Sequence, residues 1–273
     1  MTDGVSLPRL PSPPMLLPAP ELHLQQRRMP PGSTELVRRV FQLQAREAGG
    51  YFLLPGSGMT LVFLPHSGRS LLCGVMTTLR RLPLAAGELA VCVQLLPGRG
   101  DRLAGEAAAG LTDRTEPLES YLPEAGQLMG YLTATGDFSR RSQLLVRVLE
   151  GQAAPPYGRT AALVEQCLQR LVESRGQLSI EQLAREAGCS QRYLSRLFHQ
   201  WVGMSGKKYS QLVQLHCSLP AVLLRPEESL LRIAVACGYF DQAHMNRSYR
   251  QFLLCSAGDL RRRVPLQAPD LTI

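Results

Sequence analysis

The chain has 273 residues, a formal net charge of +8 and a mean hydropathy of −0.05. This length allows two ordinary domains with separate cores, and the chain has no run of about 18 apolar residues that would cross a membrane. The N-terminus lacks the basic start, apolar run and small-residue cleavage site of a secretion signal. Seven scattered cysteines without a C-x-x-C pair suit a reducing compartment, so we expect a cytoplasmic protein without a disulfide framework.

The first 29 residues are dominated by proline. Six prolines fall within the first 20 positions, and little apolar periodicity accompanies them. Proline removes backbone donors and opposes helix formation. The sequence therefore predicts a disordered or extended tail over residues 1–29.

From residue 30 to about residue 116 the chain alternates short apolar runs with turn residues. The stretches are "YFLLPGSGMTLVFL", "HSGRSLLCGVM" and "GELAVCVQLLPG", with glycine or proline bounding each run. Short strands separated by regular turns predict a β-sandwich or a barrel. The runs are nearly continuous in apolar residues, which indicates strands that are covered on both faces.

After residue 116 the apolar period changes to that of helices. Pro117–Ala134 and Ser139–Leu149 are predicted helices, the second with Ser139 as its N-cap. The apolar side of the second helix carries Leu144, Leu145, Val148 and Leu149. That side packs either on the domain's own sheet, which is the more common use, or on a second copy of the chain.

The Pro155-Pro156 pair then predicts a linker between a first domain over residues 30–154 and a second over residues 160–264.

The second predicted domain carries most of the positive charge. Residues 160–264 contain 14 lysines and arginines against 8 acidic residues, a net charge of +6. A basic domain favours a polyanionic partner such as a nucleic acid, and a solvated basic surface is the simpler alternative.

The same domain repeats one amphipathic phrase. "LSRLFHQW" begins at Leu194 and "MNRSYRQF" begins at Met245, with similar or identical residues at six of the eight positions. Upstream of the phrase each copy has a small alanine, then a glycine, then a side chain that can cap a new helix. These residues are Ala184, Gly188 and Ser190 in the first copy, and Ala234, Gly238 and Asp241 in the second. Each copy is therefore predicted to be a helix-turn-helix module.

The second helix of each module has an apolar side and a polar side. The apolar side, expected to face inward, carries Leu194, Leu197 and Phe198 in the first module and Met245, Tyr249 and Phe252 in the second. The polar side carries Gln191, Arg192, Ser195 and Arg196 in the first module and Gln242, Ala243, His244, Asn246 and Arg247 in the second. Arginine and glutamine can form paired hydrogen bonds with base edges, so the polar sides are either DNA-reading surfaces or ordinary solvated helix faces.

Residues 160–264 resemble the DNA-binding domain of the AraC/XylS family of transcription regulators. The matching motifs are "SIEQLAREAGCSQRYLSRLFHQWVGMS" and "SLLRIAVACGYFDQAHMNRSYRQF", separated by "GKKYSQLVQLHCSLPAVLL", which matches the family's linker helix. The sequence departs from the family's pattern after each module. Gly206 and Ala257 stand where proline is usual, and Leu254 stands where glycine is usual.

The resemblance implies roles for individual residues. The positions that read bases in the family correspond to Arg192, Ser195 and Arg196 in the first module and to Gln242, Ala243, His244 and Arg247 in the second. Backbone amides after Ser190 and Asp241 are the expected phosphate anchors. Lys207 and Lys208, at the start of the linker helix, are further candidates for phosphate contacts.

Residues 30–150 resemble, more weakly, the cupin-like sensory domains that precede this DNA-binding domain in many members of the family. The fold class expected is therefore α+β multidomain, with a β-rich cupin-like domain and flanking helices followed by two helix-turn-helix modules on a linker helix. The expected partners are a bipartite operator in double-stranded DNA, RNA polymerase, and a small-molecule or protein effector or a second copy of the chain at the first domain. No cofactor is expected, and the regulator is expected to be an activator.

Other functions remain open from the sequence. The five histidines show no metal-ligand spacing and no catalytic constellation is apparent, so we do not expect an enzyme. Some DNA-repair methyltransferases carry a similar helix-turn-helix domain, but the zinc-ligand cysteine spacing of those enzymes is absent here. The alternatives kept are an adaptor whose second module binds protein, and a redox-sensing regulator.

Overall fold

The computed structural model describes residues 22–30, 33–105, 108–151 and 158–262. The first part of the chain, up to residue 95, is built from strands, and the last part is entirely helical. This architecture confirms the fold class expected from the sequence. The strands are β1 (Leu22–Arg28), β2 (Val37–Ala45), β3 (Gly49–Leu53), β4 (Thr60–Leu64), β5 (Arg69–Cys73), β6 (Arg80–Leu84), β7 (Leu89–Leu95) and the later β8 (Thr115–Pro117).

The strands form two antiparallel sheets. Six of them pair in the order β1-β2-β7-β4-β5-β8, and β3 pairs with β6. The two sheets face each other, because Leu53, Leu82 and Leu84 of the small sheet belong to one apolar cluster with residues of β2, β4, β5 and β7. Every residue of β4 and β7 is buried, which confirms the prediction of strands covered on both faces.

β1 corrects the prediction of a tail over residues 1–29. Its seven residues contain no proline, so every backbone N–H is available, and they pair in register with β2 from Leu22 to Arg28. The proline-rich composition that predicted a tail ends at Pro20. The rest of the predicted tail, residues 1–21, lies outside the described residues.

The helices after β7 are α1 (Asp101–Ala104), α2 (Ala125–Ala134) and α3 (Phe138–Gly151). The predicted helix Pro117–Ala134 therefore begins only at Ala125, since β8 and a 3₁₀ turn precede it and Pro123 restricts the backbone before it. The prediction of Ser139 as N-cap is wrong. Asp137, directly before the first residue of α3, is the cap, because its carboxylate accepts the Ser139 N–H at 2.8 Å. The side of α3 that carries Leu145 and Leu149 is buried against β2, in its own domain.

The helical part contains seven α-helices in the described residues. They are α4 (Arg159–Glu173), α5 (Ile180–Glu186), α6 (Gln191–Leu197), α7 (Gly206–Leu224), α8 (Leu230–Ala236), α9 (Gln242–Leu253) and α10 (Ala257–Arg261). A π-helical turn, Phe198–Val202, continues α6. α7 coincides with the linker helix expected between the modules.

The described residues up to 151, here called the strand-rich part, pack directly on the described residues from 158 onward, the helical part. Buried apolar residues of both parts belong to one continuous cluster, which is separate from the cluster between the two sheets. The Leu79 N–H donates to the Phe252 carbonyl at 2.8 Å, and the Thr112 hydroxyl donates to the Gly203 carbonyl at 2.7 Å. The predicted linker around Pro155-Pro156 lies outside the described residues, so the domain limits 30–154 and 160–264 stay predictions.

Candidate nucleic-acid interface

The first helix-turn-helix module is α5, a turn at Gly188 and α6. Ser179 begins α5 in a capping box with Gln182, which satisfies backbone donors that a helix start leaves free. Gly188 has a φ of +63°, the left-handed conformation predicted for the turn. The Ser190 hydroxyl then accepts the Tyr193 N–H at 3.2 Å and caps α6, as predicted.

The second module is α8, a turn at Gly238 and α9. Gly238 has a φ of +80°, and a Cβ at this position would lie 2.5 Å from Cγ of Gln177. The Asp241 carboxylate accepts the His244 N–H at 2.6 Å, so the predicted cap of α9 is confirmed. The two turns therefore have the same local chemistry, a left-handed glycine followed by a side-chain cap.

The predicted inward side of each second helix is buried. Leu194, Leu197, Phe198, Met245, Tyr249 and Phe252 are each 2 % exposed or less. Ala184 and Ala234, the small residues of α5 and α8, are buried at the helix contacts as well. This packing leaves the opposite sides of α6 and α9 facing solvent.

The linker helix α7 is bonded directly to the second module. Its Gln214 side chain donates to the Gly238 carbonyl at 2.9 Å, inside the turn of that module. Its Ser218 hydroxyl and the hydroxyl of Tyr249 are 2.9 Å apart and buried. These bonds, with the apolar contacts around them, hold α9 at a fixed position relative to α7.

The predicted DNA-facing residues of the first module lie together on one side of α6. Gln191, Arg192 and Arg196 are exposed, Ser190 at the helix start is exposed, and Ser195 is half-buried. The Arg196 guanidinium carbon lies 5.2 Å from the ring centre of Tyr193, a cation–π contact that restrains the long side chain. A restrained guanidinium loses less conformational freedom when it binds a base.

The predicted residues of the second module are less uniform. Gln242, Ala243 and Arg247 are exposed on α9. The half-buried His244 already accepts the Phe240 N–H on Nδ1 at 3.3 Å and packs edge to face on Tyr239.

Asn246 is the residue whose predicted role fits the geometry least. It is half-buried, and its side-chain oxygen accepts the Ala257 N–H at 3.1 Å at the start of α10. An amide needs its oxygen and its nitrogen together to read adenine. In this structure Asn246 instead supports α10.

Lys207 and Lys208 lie in the first turn of α7. Lys207 is exposed and Lys208 is half-buried, directly after the cap in which Ser205 accepts the Lys208 N–H at 3.2 Å. A helix start carries partial positive charge, which disfavours lysine unless an anion is near. Two lysines and free amide groups at this place suit a phosphate.

The arginines of the helical domain differ in whether a carboxylate pairs with them. Arg170 pairs with Glu173 and Glu186, and Arg185 pairs with Glu181. Within the described part of the chain, no ion pair involves Arg192, Arg196 or Arg247. These guanidinium groups therefore contribute uncompensated positive charge to the outer sides of α6 and α9.

An exposed apolar surface lies on the second module, and it was not predicted from the sequence. Phe240 is 89 % exposed immediately before the cap of α9, and Leu231 and Val235 are more than half exposed on α8. In the stretch Tyr239-Phe240 only the first ring is buried, and periodicity could not decide which of two adjacent aromatic residues faces inward.

The cysteines have contrasting environments. Burial raises the pKa of Cys73 to about 12 and also raises that of Cys92. A hydrogen bond with the Cys237 thiol, together with the charge of Arg175, lowers the pKa of Cys217. That contact joins α7 to Cys237, the residue that follows the last residue of α8.

The described ranges contain neither a cluster of metal-ligand side chains nor a helix that could span a membrane. No group of three or more His, Cys, Asp and Glu side chains could hold a metal ion there. No helix in the same ranges is long and apolar enough to cross a membrane.

Comparison with known proteins shows similarity in the helical domain. Residues 183–263 match the family model described as a helix-turn-helix domain. An uncharacterized HTH-type transcriptional regulator of Haemophilus influenzae is 33 % identical over 87 residues, which are 32 % of this chain and 29 % of that protein. The match thus spans under a third of that relative's length.

Two solved structures show weaker likeness. The C-terminal domain of AraT, a response regulator from Geobacillus stearothermophilus, is 22 % identical with a TM-score of 0.37, over 40 % of this chain and 92 % of that chain. ToxT from Vibrio cholerae is 10 % identical with a TM-score of 0.42, over 88 % of this chain and 98 % of that chain. The domain assignment rests on the family model and the curated relative.

Proposed function

We propose that this chain, whose C-terminal domain is an AraC-type helix-turn-helix domain, is a sequence-specific DNA-binding transcription regulator. The observation that carries the proposal is the pair of capped second helices, α6 and α9, mounted on one buried linker helix with unpaired arginines on their outer sides. Guanidinium groups without carboxylate partners are free to pair with phosphates and base edges.

Individual residues of the two helices take different roles in this proposal. Arg196 pairs with O6 and N7 of a guanine, and Arg192 contacts a neighbouring base. Gln242 pairs with adenine, and Ala243 contacts a thymine methyl group. Arg247 contacts a base or a phosphate. The contacts with bases are flanked by the side chains of Ser195, Gln191, His244 and Asn246.

The phosphate contacts position the modules without reading sequence. Lys207 and Lys208 neutralise phosphates beside the first module, and the amide groups that follow Ser190 and Asp241 anchor the helix starts. We further propose that α6 and α9 enter successive major grooves of a bipartite operator. RNA polymerase is the partner of the resulting activator, and the strand-rich part binds an effector or a second copy of the chain.

The test is selection of binding sites from random duplexes by the purified full chain, followed by footprinting on the selected sequence. We expect two dissimilar half-sites about one helical turn apart, or about 10 base pairs. The matched control is the variant Arg196→Ala with Arg247→Ala, whose selected sequences should lose the preference at the base positions that these two side chains read. Failure of the natural chain to enrich any sequence would overturn the proposal.

A second candidate function, an adaptor, is favoured by specific observations on the second module. Phe240, Leu231 and Val235 offer apolar surface there, and Asn246 is occupied within the protein. Apolar surface of this kind is typical of protein contacts. Enrichment of a single half-site, read by the first module only, would favour the adaptor over the regulator with two reading modules.

A further inference from the structure

The linker helix α7 turns one side toward the second module. Its Gln214 side chain donates to the Gly238 carbonyl at 2.9 Å, and its Ser218 hydroxyl lies 2.9 Å from the hydroxyl of Tyr249. Cys217 stands between these two residues of α7 in the sequence, three positions after Gln214, and side chains three or four positions apart share one side of a helix. Cys217 therefore faces the turn that precedes α9.

Cys237, directly before Gly238, is the residue that Cys217 meets in this turn. Its backbone is held in place, because the Cys237 N–H donates to the Ile233 carbonyl at 3.1 Å and the next carbonyl accepts from Gln214. The two thiols are hydrogen-bonded to each other. They are thus already in contact, whereas cysteines farther apart could be joined only after a movement of the backbone.

A guanidinium group accompanies the two thiols. Arg175 Nη1 donates to the Ala236 carbonyl at 3.3 Å, directly before Cys237. The hydrogen bond from the Cys237 thiol lowers the pKa of Cys217, and the charge of Arg175 lowers it further, against the effect of burial. The same hydrogen bond raises the pKa of Cys237. Cys217 is therefore the member of the pair that becomes the thiolate, which is the reactive form of cysteine.

The two sulfur atoms also differ in their access to solvent. Cys217 is half-buried, whereas Cys237 is 5 % exposed, so a dissolved oxidant reaches Cys217 first. Cys255 is half-buried as well, but burial and the charge of Asp259 raise its pKa to about 11, which keeps its thiol protonated at neutral pH. An accessible thiolate in contact with a second thiol is typical of cysteines that sense oxidants.

We propose that Cys217 and Cys237 are an oxidation site for hydroperoxides, with Cys217 as the reacting and Cys237 as the resolving cysteine. The Cys217 thiolate attacks one oxygen of the peroxide and the O–O bond breaks. The sulfur keeps this oxygen as a sulfenic acid, and the other oxygen leaves as hydroxide or alkoxide and takes a proton from solvent. The Cys237 sulfur then attacks the Cys217 sulfur, and its proton leaves with the sulfenic oxygen as water. Two electrons pass from the two thiols to the peroxide, and a disulfide remains.

The disulfide ties the turn before α9 to α7, beside the hydrogen bond that Gln214 makes there. An S–S bond of about 2.05 Å is shorter than a hydrogen bond between two thiols, so its formation draws the turn toward α7. In a reducing compartment the bond is transient, because exchange with other thiols reopens it. Its formation needs no DNA and is therefore independent of the proposed function.

The experiment treats the reduced full chain with hydrogen peroxide at neutral pH and maps the products by mass spectrometry after digestion with trypsin. Trypsin separates the two cysteines, because Arg232 lies between them in the sequence. We expect one intramolecular disulfide, which joins the peptides of Cys217 and Cys237 and which dithiothreitol removes. Before oxidation, iodoacetamide should label Cys217 at least about tenfold faster than Cys255.

Two variants test the roles of the two sulfur atoms. Cys237→Ser keeps a hydrogen-bond donor beside Cys217 but cannot close the bond, so Cys217 should accumulate as a sulfenic acid that dimedone traps. Cys255→Ser is the matched control and should form the disulfide like the natural chain. In the natural chain, no disulfide, a disulfide between other cysteines, or labelling of Cys217 no faster than that of Cys255 would each overturn the proposal. Binding to the selected DNA, measured on the reduced chain, reports separately on the proposed function.

Discussion

Leu254 ends α9 in the left-handed backbone region, with a φ of +62°. The corresponding residue of the first module is Gly203, with a φ of +76°. A side chain with a Cβ in this conformation costs about 1–2 kcal/mol, and the Leu254 side chain is 46 % exposed, so it recovers little by burial. The departure from the family pattern noted in the sequence is therefore a local strain and not a change of helix end.

We predict that Leu254→Gly stabilises the protein, by about 0.5–1 kcal/mol after the greater freedom of glycine in the unfolded chain is subtracted. Urea unfolding of the full chain measures the change. Gly203→Ala is the converse control and should destabilise by about 1 kcal/mol. A less stable Leu254→Gly variant would show that the leucine makes contacts that outweigh the strain.

Arg196 is the residue for which base reading is predicted most sharply. Arg196→Ala should relax the preference at one base position by about 1–3 kcal/mol, because the lost bonds are made to one base pair only. Lys207→Ala is the control, and it should weaken binding to all sequences alike and reduce the salt dependence. Binding of both variants to a library of operators separates the two patterns. Equal losses over the whole library for Arg196→Ala would mean that it contacts only phosphate.

His216 gives stability a defined pH dependence. Its pKa in the folded protein is lowered to about 3, by burial first and by the charges of Arg38 and Arg39 next. Tyr209 is the other titratable group on which the charge of Arg38 acts. The unfolded chain binds the proton near pH 6.5, so the stabilisation is complete above that pH and is lost as the pH falls toward 3.

The expected loss is up to about 1.4 kcal/mol per pH unit below pH 6.5. His216→Gln keeps a donor for the Pro55 carbonyl but does not titrate, so its stability should fall less between pH 7 and pH 5. Urea unfolding at both pH values gives the difference between the two proteins, in which acid effects common to both cancel. Parallel pH profiles would contradict a buried neutral histidine.

At the scale of the elements, the two glycine turns offer a matched pair. Gly188 and Gly238 both have positive φ, but a Cβ on Gly188 meets nothing within 4 Å, whereas one on Gly238 meets Gln177. Gly188→Ala should cost about 1 kcal/mol, and Gly238→Ala should cost more because Gln177 must also move.

Thermal unfolding of both variants tests this order. Gly126→Ala, at an exposed position of α2 with open space around it, is the control and should stabilise by about 0.5–1 kcal/mol. Equal losses for Gly188→Ala and Gly238→Ala would mean that Gln177 moves aside without cost.

The elements that the sequence predicted well are those whose signals are local. The caps Ser190 and Asp241, the glycines of the turns and the buried sides of α6 and α9 each follow from a spacing of a few residues. β1 was missed because its stability comes from pairing with β2 and not from its own composition. Ser139 is a cap residue by type, but Asp137 two positions earlier performs that role, and the residue type alone does not fix which of two neighbouring polar side chains begins a helix.

For the candidate interface, too, the sequence predicted the local features and not the contacts between distant elements. The outer sides of α6 and α9 could be listed from periodicity, but the internal bonds of Asn246 and His244 depend on α10 and on the turn before α9. The buried contact of His216 with the Pro55 carbonyl depends on the docking of α7 on the strand-rich part, which no local pattern encodes.

At the scale of the whole molecule, the strand-rich part contacts the end of each second helix. Thr112 donates to the Gly203 carbonyl beyond α6, and Leu79 donates to the Phe252 carbonyl in α9. Each module is thus bonded to the strand-rich part, and the second module is also bonded to α7. The relative position of α6 and α9 is therefore set by more than the linker helix, and we expect the spacing of the half-sites to be fixed.

The operator should show this fixed spacing directly. Two modules on one rigid support can enter successive major grooves only on one side of the duplex, about 34 Å or roughly 10 base pairs apart. Inserting about half a turn of DNA, roughly five base pairs, between the half-sites turns one of them to the opposite side and should abolish specific binding. Competition binding of the full chain to the natural and the lengthened operator measures the loss.

A second insertion distinguishes a rigid support from a flexible one. Adding a full turn, roughly ten base pairs, restores the side of the duplex but doubles the distance, which a fixed pair of helices cannot span. Both insertions should therefore fail with this protein, whereas modules on a flexible tether would recover with the full turn. Binding that survives both insertions undiminished would mean that one module alone reads DNA. The exposed apolar surface around Phe240 would then be the first place to look for a protein partner of the second module.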